Sequence, residues 1–149
     1  MIACPIGITE RSDYMQDMGS MNLEFKNRVA SKPGGEKVMN CFLCGTCTAG
    51  CPVSSLKVEY NPRRIMRMLL LGMEKDVLSS PQLWQCSQCH TCVAHCPQNV
   101  RFADVIRVLR ELALEDGFVS GEFVEEVEKI DREVRQERID RINSLQKGK

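Results

Sequence analysis

One cysteine pattern, written twice, constrains this chain more than any other feature. Cys41-x-x-Cys44-x-x-Cys47-x-x-x-Cys51-Pro52 recurs 45 residues later as Cys86-x-x-Cys89-x-x-Cys92-x-x-x-Cys96-Pro97. Eight of the nine cysteines in the 149 residues fall in these two runs. Three thiols two residues apart lie on a tight length of chain that wraps three corners of a cubane. The fourth is carried away from that wrap, before a proline that forbids helix continuation. This is the spacing that binds a [4Fe–4S] cluster, so two such clusters are expected.

In two-cluster ferredoxins of this spacing, the fourth cysteine of each run reaches the other cluster. The expected ligands are therefore Cys41, Cys44, Cys47 and Cys96 for the first cluster, and Cys86, Cys89, Cys92 and Cys51 for the second. Three plainer readings compete. Structural zinc also uses Cys-x-x-Cys, but it combines two separated pairs and has no need of three close cysteines followed by Cys-Pro. A disulfide scaffold needs an oxidising compartment. Met1-Ile2-Ala3-Cys4-Pro5-Ile6-Gly7 lacks a basic segment followed by an apolar one, so no secretory leader is expected. A thioredoxin-like Cys-x-x-Cys does not account for two extended runs.

Aromatic residues make up only 5% of the chain, so the apolar core is modest and the clusters are expected to take over part of its role. The 20 basic and 20 acidic residues balance, which gives no electrostatic case for nucleic acid. No apolar stretch approaches membrane-spanning length; the longest, Ile65 to Met73, contains Arg67. Cubane clusters need reduced thiols, so the expected location is the cytoplasm, in an anaerobe.

The runs are separated and followed by helical patterns, and no alternating strand pattern appears. Asn61 reads as a cap with Pro62 at the first helical position. Ile65, Met66, Leu69, Leu70 and Met73 then form an apolar stripe ending near Gly72. A second helix is expected from Phe102 to Gly117, with Phe102, Val105, Ile106, Leu109, Leu112 and Ala113 inward. Arg101, Arg107, Arg110, Glu111 and Glu115 are expected largely on its other side. Ser80-Pro81 starts a short helix into Cys86, and residues 36–41 read similarly into Cys41. The expected fold is all-α, with an N-terminal extension at 1–35, a two-cluster domain at 36–120 and a charged C-terminal helix at 121–149.

The long helices distinguish the chain from small bacterial ferredoxins of the same spacing, which build β-hairpins. It resembles instead the α-helical ferredoxin domain of succinate dehydrogenase and fumarate reductase iron–sulfur proteins. The segments Asn40-Cys41-Phe42-Leu43-Cys44-Gly45-Thr46-Cys47-Thr48-Ala49-Gly50-Cys51-Pro52, Tyr60-Asn61-Pro62-Arg63-Arg64-Ile65 and Leu83-Trp84-Gln85-Cys86-Ser87-Gln88-Cys89-His90-Thr91-Cys92 resemble more closely the C subunit of heterodisulfide reductase (HdrC) from methanogens and related anaerobes. That resemblance implies a non-catalytic electron relay between two other proteins of the reductase. One is its A subunit, which contains flavin. The other is its B subunit, which reduces the disulfide of coenzyme M and coenzyme B. A hydrogenase or formate dehydrogenase is a candidate further member of such an assembly. The chain itself shows no Gly-x-Gly-x-x-Gly, no P-loop and no Cys-Cys-Gly signature. Two other functions compete: relay in another oxidoreductase, such as a quinone-linked dehydrogenase or sulfur-metabolising complex, and a structural zinc adaptor.

Several residues beside the ligands invite a role. Gly45 and Gly50 are expected at positive φ or close backbone approach, or as plain turn residues. His90 and His95 are expected exposed or hydrogen-bonded rather than ligating, and Trp84 as core packing. Arg63, Arg64 and Arg67 form a basic patch that faces solvent, a partner or cluster charge. Cys4 reads as a free thiol. Residues 122–141 hold 13 charged residues around a thin line of Phe123, Val127, Ile130 and Val134, continued by Ile142 and Leu145. That line is too narrow for a core face, which suits a helix that docks on a partner or stands exposed.

Overall fold

The computed structural model describes residues 21–147, and among them it is helical throughout, with no strand. Eight α-helices follow in order: α1 (Phe25–Ala30), α2 (Thr46–Ala49), α3 (Pro52–Leu56), α4 (Pro62–Leu70), α5 (Glu74–Leu78), α6 (Thr91–His95), α7 (Phe102–Glu115) and α8 (Gly121–Lys147). Short 3₁₀ turns at Val38–Asn40 and Pro81–Gln85 lead into the two cysteine runs.

The start of α4 follows from its cap. The Asn61 side chain accepts from the Arg64 backbone N–H at 3.0 Å, and Pro62 lacks the N–H that would otherwise be orphaned. Ile65, Met66, Leu69 and Met73 are buried, while Leu70 is half-buried. The chain reverses at Gly72, where φ is +79°. A Cβ there would stand 2.4 Å from the Asn22 carbonyl oxygen, so the turn demands glycine.

α7 forms the centre. Its expected inward set (Phe102, Val105, Ile106, Leu109, Leu112 and Ala113) is buried, and so are Ala103, Asp104 and Val108. The helix is covered on most sides because α1, α5, α6 and the Pro81–Gln85 turn all pack on it. Burial of one such leucine contributes roughly 1.5–3 kcal/mol by transfer. The buried Asp104 carboxylate accepts from Arg101 and, at 3.1 Å, from Arg107. That pairing is what makes its burial tolerable.

The solvent-facing assignment of Arg110 is corrected by the structure. Its guanidinium turns into the body and donates to the carbonyls of Leu83 and Cys86, each at 2.9 Å. These carbonyls lie at the end of a 3₁₀ turn that leaves them without helical partners.

α1 is fastened by Phe25 and Val29, both fully buried, and by Arg28. Arg28 reaches Glu74 at 3.0 Å and Asp116 at 2.5 Å, joining α1 to the start of α5 and the end of α7. α8 is 27 residues long. Its first turn meets the body where Phe123 packs edge-on against Trp84, ring centres 5.1 Å apart. Farther along, Ile130, Val134, Ile139, Ile142 and Leu145 are exposed. No helix among the described residues is long and apolar enough to cross a membrane.

Candidate metal centre

The two cysteine runs repeat in conformation as well as in sequence. Leu43 and Gln88, one residue before the second cysteine of each run, have φ of +59° and +51°. Gly45 and His90, one residue after it, have φ of +89° and +59°. Glycine meets this requirement freely, whereas the other three residues adopt it at a cost of order 1–2 kcal/mol each. Such strain persists where the surroundings over-determine the backbone. Gly50 differs from expectation: its φ is −91°, and an added Cβ would meet nothing closer than 3.6 Å. It is an ordinary turn residue.

After each loop a short helix begins at a threonine. The Thr46 hydroxyl lies 3.3 Å from Cys44 Sγ, and the Thr91 hydroxyl 3.4 Å from Cys89 Sγ. These hydrogen bonds lower the pKa of both exposed thiols below the usual cysteine value. Burial acts oppositely on Cys41, Cys47 and Cys92, raising their thiols, Cys92 to about 11. Ligation therefore has to expel protons from the buried thiols.

α2 and α6 pack side by side and set two cavities next to each other. Cys41, Cys44, Cys47 and Cys96 line one, together with Leu43, Met66, Val100 and Phe102. Cys51, Cys86, Cys89 and Cys92 line the other, with Val53, Tyr60, Pro62 and Phe102. Cys47, Cys92 and Phe102 lie on the wall that the two cavities share. Apart from the shared Cys47 and Cys92, the first cavity alone is lined by Cys41, Cys44 and Cys96 and the second alone by Cys51, Cys86 and Cys89, so the fourth cysteine of each run lies with the other run, among apolar residues. Among the described residues no three His, Cys, Asp or Glu side chains converge closely enough for a single metal ion.

Donors already point at the thiols. The Val100 N–H donates to Cys96 Sγ at 3.4 Å, and Gln88 Nε2 to Cys86 Sγ at 3.6 Å. Tyr60 is 1% exposed, and its hydroxyl, on the wall of the second cavity, has no partner among the described residues. Burial, then the neighbouring Cys86 thiolate, pushes its ionisation well above the ordinary phenol range. An all-sulfur donor set, apolar walls and an unmatched buried donor together suit an iron–sulfur cluster.

Two arginines hold the loops. Arg63 Nε donates to the Leu43 carbonyl at 2.7 Å, so this member of the basic patch braces the strained first loop. Arg64 and Arg67 are exposed. Arg110 does the same for the second run, its Cζ 5.2 Å from the centre of the Trp84 ring. Trp84 contacts both Arg110 and Phe123 and lines neither cavity. His90 and His95 are exposed, although His90 also edges the second cavity. Cys4 lies outside the described residues.

The sequence reading gave no role to Thr46, Thr91 and Tyr60 and set Arg110 on the polar side of α7. The threonines carried a usable signal, because both runs read Cys-x-Thr-Cys at the same repeat position. Tyr60 and Arg110 carried none in their spacing. Arg110 is defined by a carbonyl 24 residues away, and Tyr60 by the cavity of the other run.

Comparison with known proteins points to the same kind of cofactor. Residues 37–100 match the 4Fe-4S dicluster domain family. Over 113 residues the chain is 33% identical to the C subunit of the H(2):CoB-CoM heterodisulfide,ferredoxin reductase of Methanothermobacter thermautotrophicus, covering 76% of this chain and 60% of that one. It is 41% identical over 83 residues to the iron-sulfur C subunit of the CoB--CoM heterodisulfide reductase of Methanopyrus kandleri, covering 56% and 43%. A protein of Archaeoglobus profundus named for its likeness to the heterodisulfide reductase C subunit is 31% identical over 96 residues, covering 62% and 51%. The matched region is thus 60% or less of the length of each of these relatives. The match at residues 37–100 supports two [4Fe–4S] clusters, in a chain similar to the C subunits of heterodisulfide reductases.

Proposed function

We propose that the chain is the electron relay of a heterodisulfide reductase complex, placed between a flavoprotein and a disulfide-reducing partner. The observation that carries this reading is the pair of adjoining cysteine-lined cavities with a common wall of Cys47, Cys92 and Phe102. When bound, such clusters each accept and release single electrons. The chain's own residues do the rest. Cys41, Cys44, Cys47 and Cys96 are the proposed ligands of the first cluster, and Cys86, Cys89, Cys92 and Cys51 of the second. Phe102, Met66, Val100 and Val53 keep water from the cavities, and Arg63 and Arg110 fix the loops that bear the thiols.

The names of the relatives support this client over other oxidoreductases. The proposed working unit is residues 36–120, in the cytoplasm. α8, with its exposed line of Ile130, Val134 and Ile142, is the arm proposed to lie against a neighbouring protein of the complex.

The test is anaerobic affinity purification of the tagged chain from its native host. The proposal expects about eight iron and eight sulfide per chain, together with a flavoprotein and a disulfide-reducing partner. Recovery of a quinone-linked dehydrogenase instead overturns the client. Stoichiometric zinc without sulfide overturns the metal.

A further inference from the structure

We infer that Tyr60 donates a hydrogen bond from its phenol to a sulfur of the second cluster and thereby sets that cluster's reduction potential apart from the first. The inference rests on the two-cluster reading above and deepens it.

Tyr60 is buried to 1% exposure, on the wall formed with Cys51, Cys86, Cys89 and Cys92. Its Oη makes no well-formed hydrogen bond among the described residues, and the group beside it is the Cys86 thiol, a proposed ligand of the second cluster. A phenol has one hydrogen to give, and leaving it unmade in a low-dielectric interior is costly. Sulfur at the cavity centre is the acceptor that this position lacks. The residue is held there firmly: its N–H donates to the Lys57 carbonyl at 3.0 Å, and its own carbonyl accepts from the Ser54 hydroxyl at 2.8 Å.

The internal repeat makes the point sharper. Tyr60 stands two residues before Pro62, the first residue of α4, and Val100 stands two residues before Phe102, the first of α7. Both are buried, and each lines the cavity dominated by the opposite run. At equivalent places one cavity therefore receives a phenol and the other an isopropyl group. Two other pairs of donors match across the repeat. Thr46 and Thr91 match each other at 3.3 and 3.4 Å. The Val100 N–H on Cys96 at 3.4 Å is answered by Gln88 on Cys86 at 3.6 Å. The Tyr60 phenol has no counterpart at the equivalent place in the first cavity, where Val100 stands.

A hydrogen bond to cluster sulfur stabilises the more negative, reduced state and so raises the potential. The phenol proton stays on Oη in both redox states. Tyr60 acts directly on the cluster sulfur through this hydrogen bond and moves no proton.

The experiment is an anaerobic redox titration of the holo-protein followed by electron paramagnetic resonance, comparing the native chain with Tyr60→Phe. Cys89→Ser identifies the second cluster's signal. With about eight irons retained, the second cluster should become roughly tenfold harder to reduce, about 59 mV for one electron. The first cluster's midpoint should stay in place. Unchanged midpoints at full iron content overturn the inference and leave the two-cluster reading standing. A native chain without iron and sulfide overturns both. If Tyr60→Phe does not assemble, the native fold decides. In a Tyr14→Phe chain carrying ring-deuterated tyrosine, the reduced second cluster should show deuterium couplings from Tyr60, and their absence overturns the inference.

Discussion

Replacing Arg110 by methionine tests whether the second cysteine loop is held by α7. The substitution keeps an unbranched apolar stem and removes the guanidinium. Lost with it are two charge-assisted hydrogen bonds of 2.9 Å, to the carbonyls of Leu83 and Cys86, and the stacking on Trp84 at 5.2 Å. Bonds from a charged donor are worth about 1.5–3 kcal/mol each, and a partly exposed cation–π contact about 0.5–1 kcal/mol. Two effects reduce that sum. Water can reach the half-buried rim once the side chain is shortened. Burial also disfavours the guanidinium charge, as its downward pKa shift indicates. We expect a net loss of about 2 kcal/mol, roughly thirtyfold in an equilibrium constant. Because the carbonyls belong to the approach to Cys86, the loss should fall on the second cluster. The assay is an anaerobic competition with an iron chelator, following the paramagnetic signal of each reduced cluster. Arg67→Met, at an exposed position on α4, is the comparison. Equal resistance of Arg110→Met and the native chain to the chelator would refute the reasoning, as would equal loss from both clusters.

Two further perturbations probe the frame. The carboxyl of Asp116 lies below its ordinary range because Arg28 hydrogen-bonds it. A depressed folded pKa gives stability that is present above the unfolded value of 3.8 and lost only as pH falls through the folded one. Asp116→Asn should therefore lower the melting temperature by an amount worth at most about 1 kcal/mol for this part-exposed pair. That gap should be the same at pH 8 and pH 5; calorimetry showing it close over that range would contradict the assignment. Phe123→Ala removes the edge-on contact with Trp84, an interaction worth about 0.5–1.5 kcal/mol beyond its area. Hydrogen exchange should rise along the first turns of α8 while α4 and α7 keep their protection. Unchanged exchange in α8 would show that another contact holds it.

Elements that depend on local chemistry could be read from the chain. The Asn61-Pro62 cap, the apolar stripes of α4 and α7, and the terminating Gly72 and Gly117 are short-range signals, and the helices begin and end where those signals stand. The eight expected ligand cysteines stand in two eleven-residue runs, and the fold brings them to line two adjoining cavities. Side chains whose role is set by a distant neighbour could not be read this way. Arg110 belongs by helical periodicity to the polar side of α7, and only the 3₁₀ turn ending near Cys86 gives it a buried use. Tyr60 had no role assigned by local pattern, and only the fold brings it against the other run's cavity. Gly50 shows the reverse error: a glycine inside a metal-binding run invited a conformational reason that its φ of −91° does not require. α8 combined both cases, because its thin apolar line was visible but Trp84, the anchor for Phe123, was not.

The proposed relay depends on the proposed crossed ligand sets, because adjoining clusters tied by shared wall residues would let one chain pass electrons on. The most direct measurement is the reduced-state electron paramagnetic resonance spectrum of Cys96→Ser set beside those of Cys44→Ser and Cys89→Ser. The grouping of Cys96 with Cys41, Cys44 and Cys47 around one cavity predicts that Cys96→Ser disturbs the same signal as Cys44→Ser. It should leave intact the signal that Cys89→Ser removes. A Cys96→Ser spectrum that matches Cys89→Ser, with the Cys44 signal untouched, would contradict it.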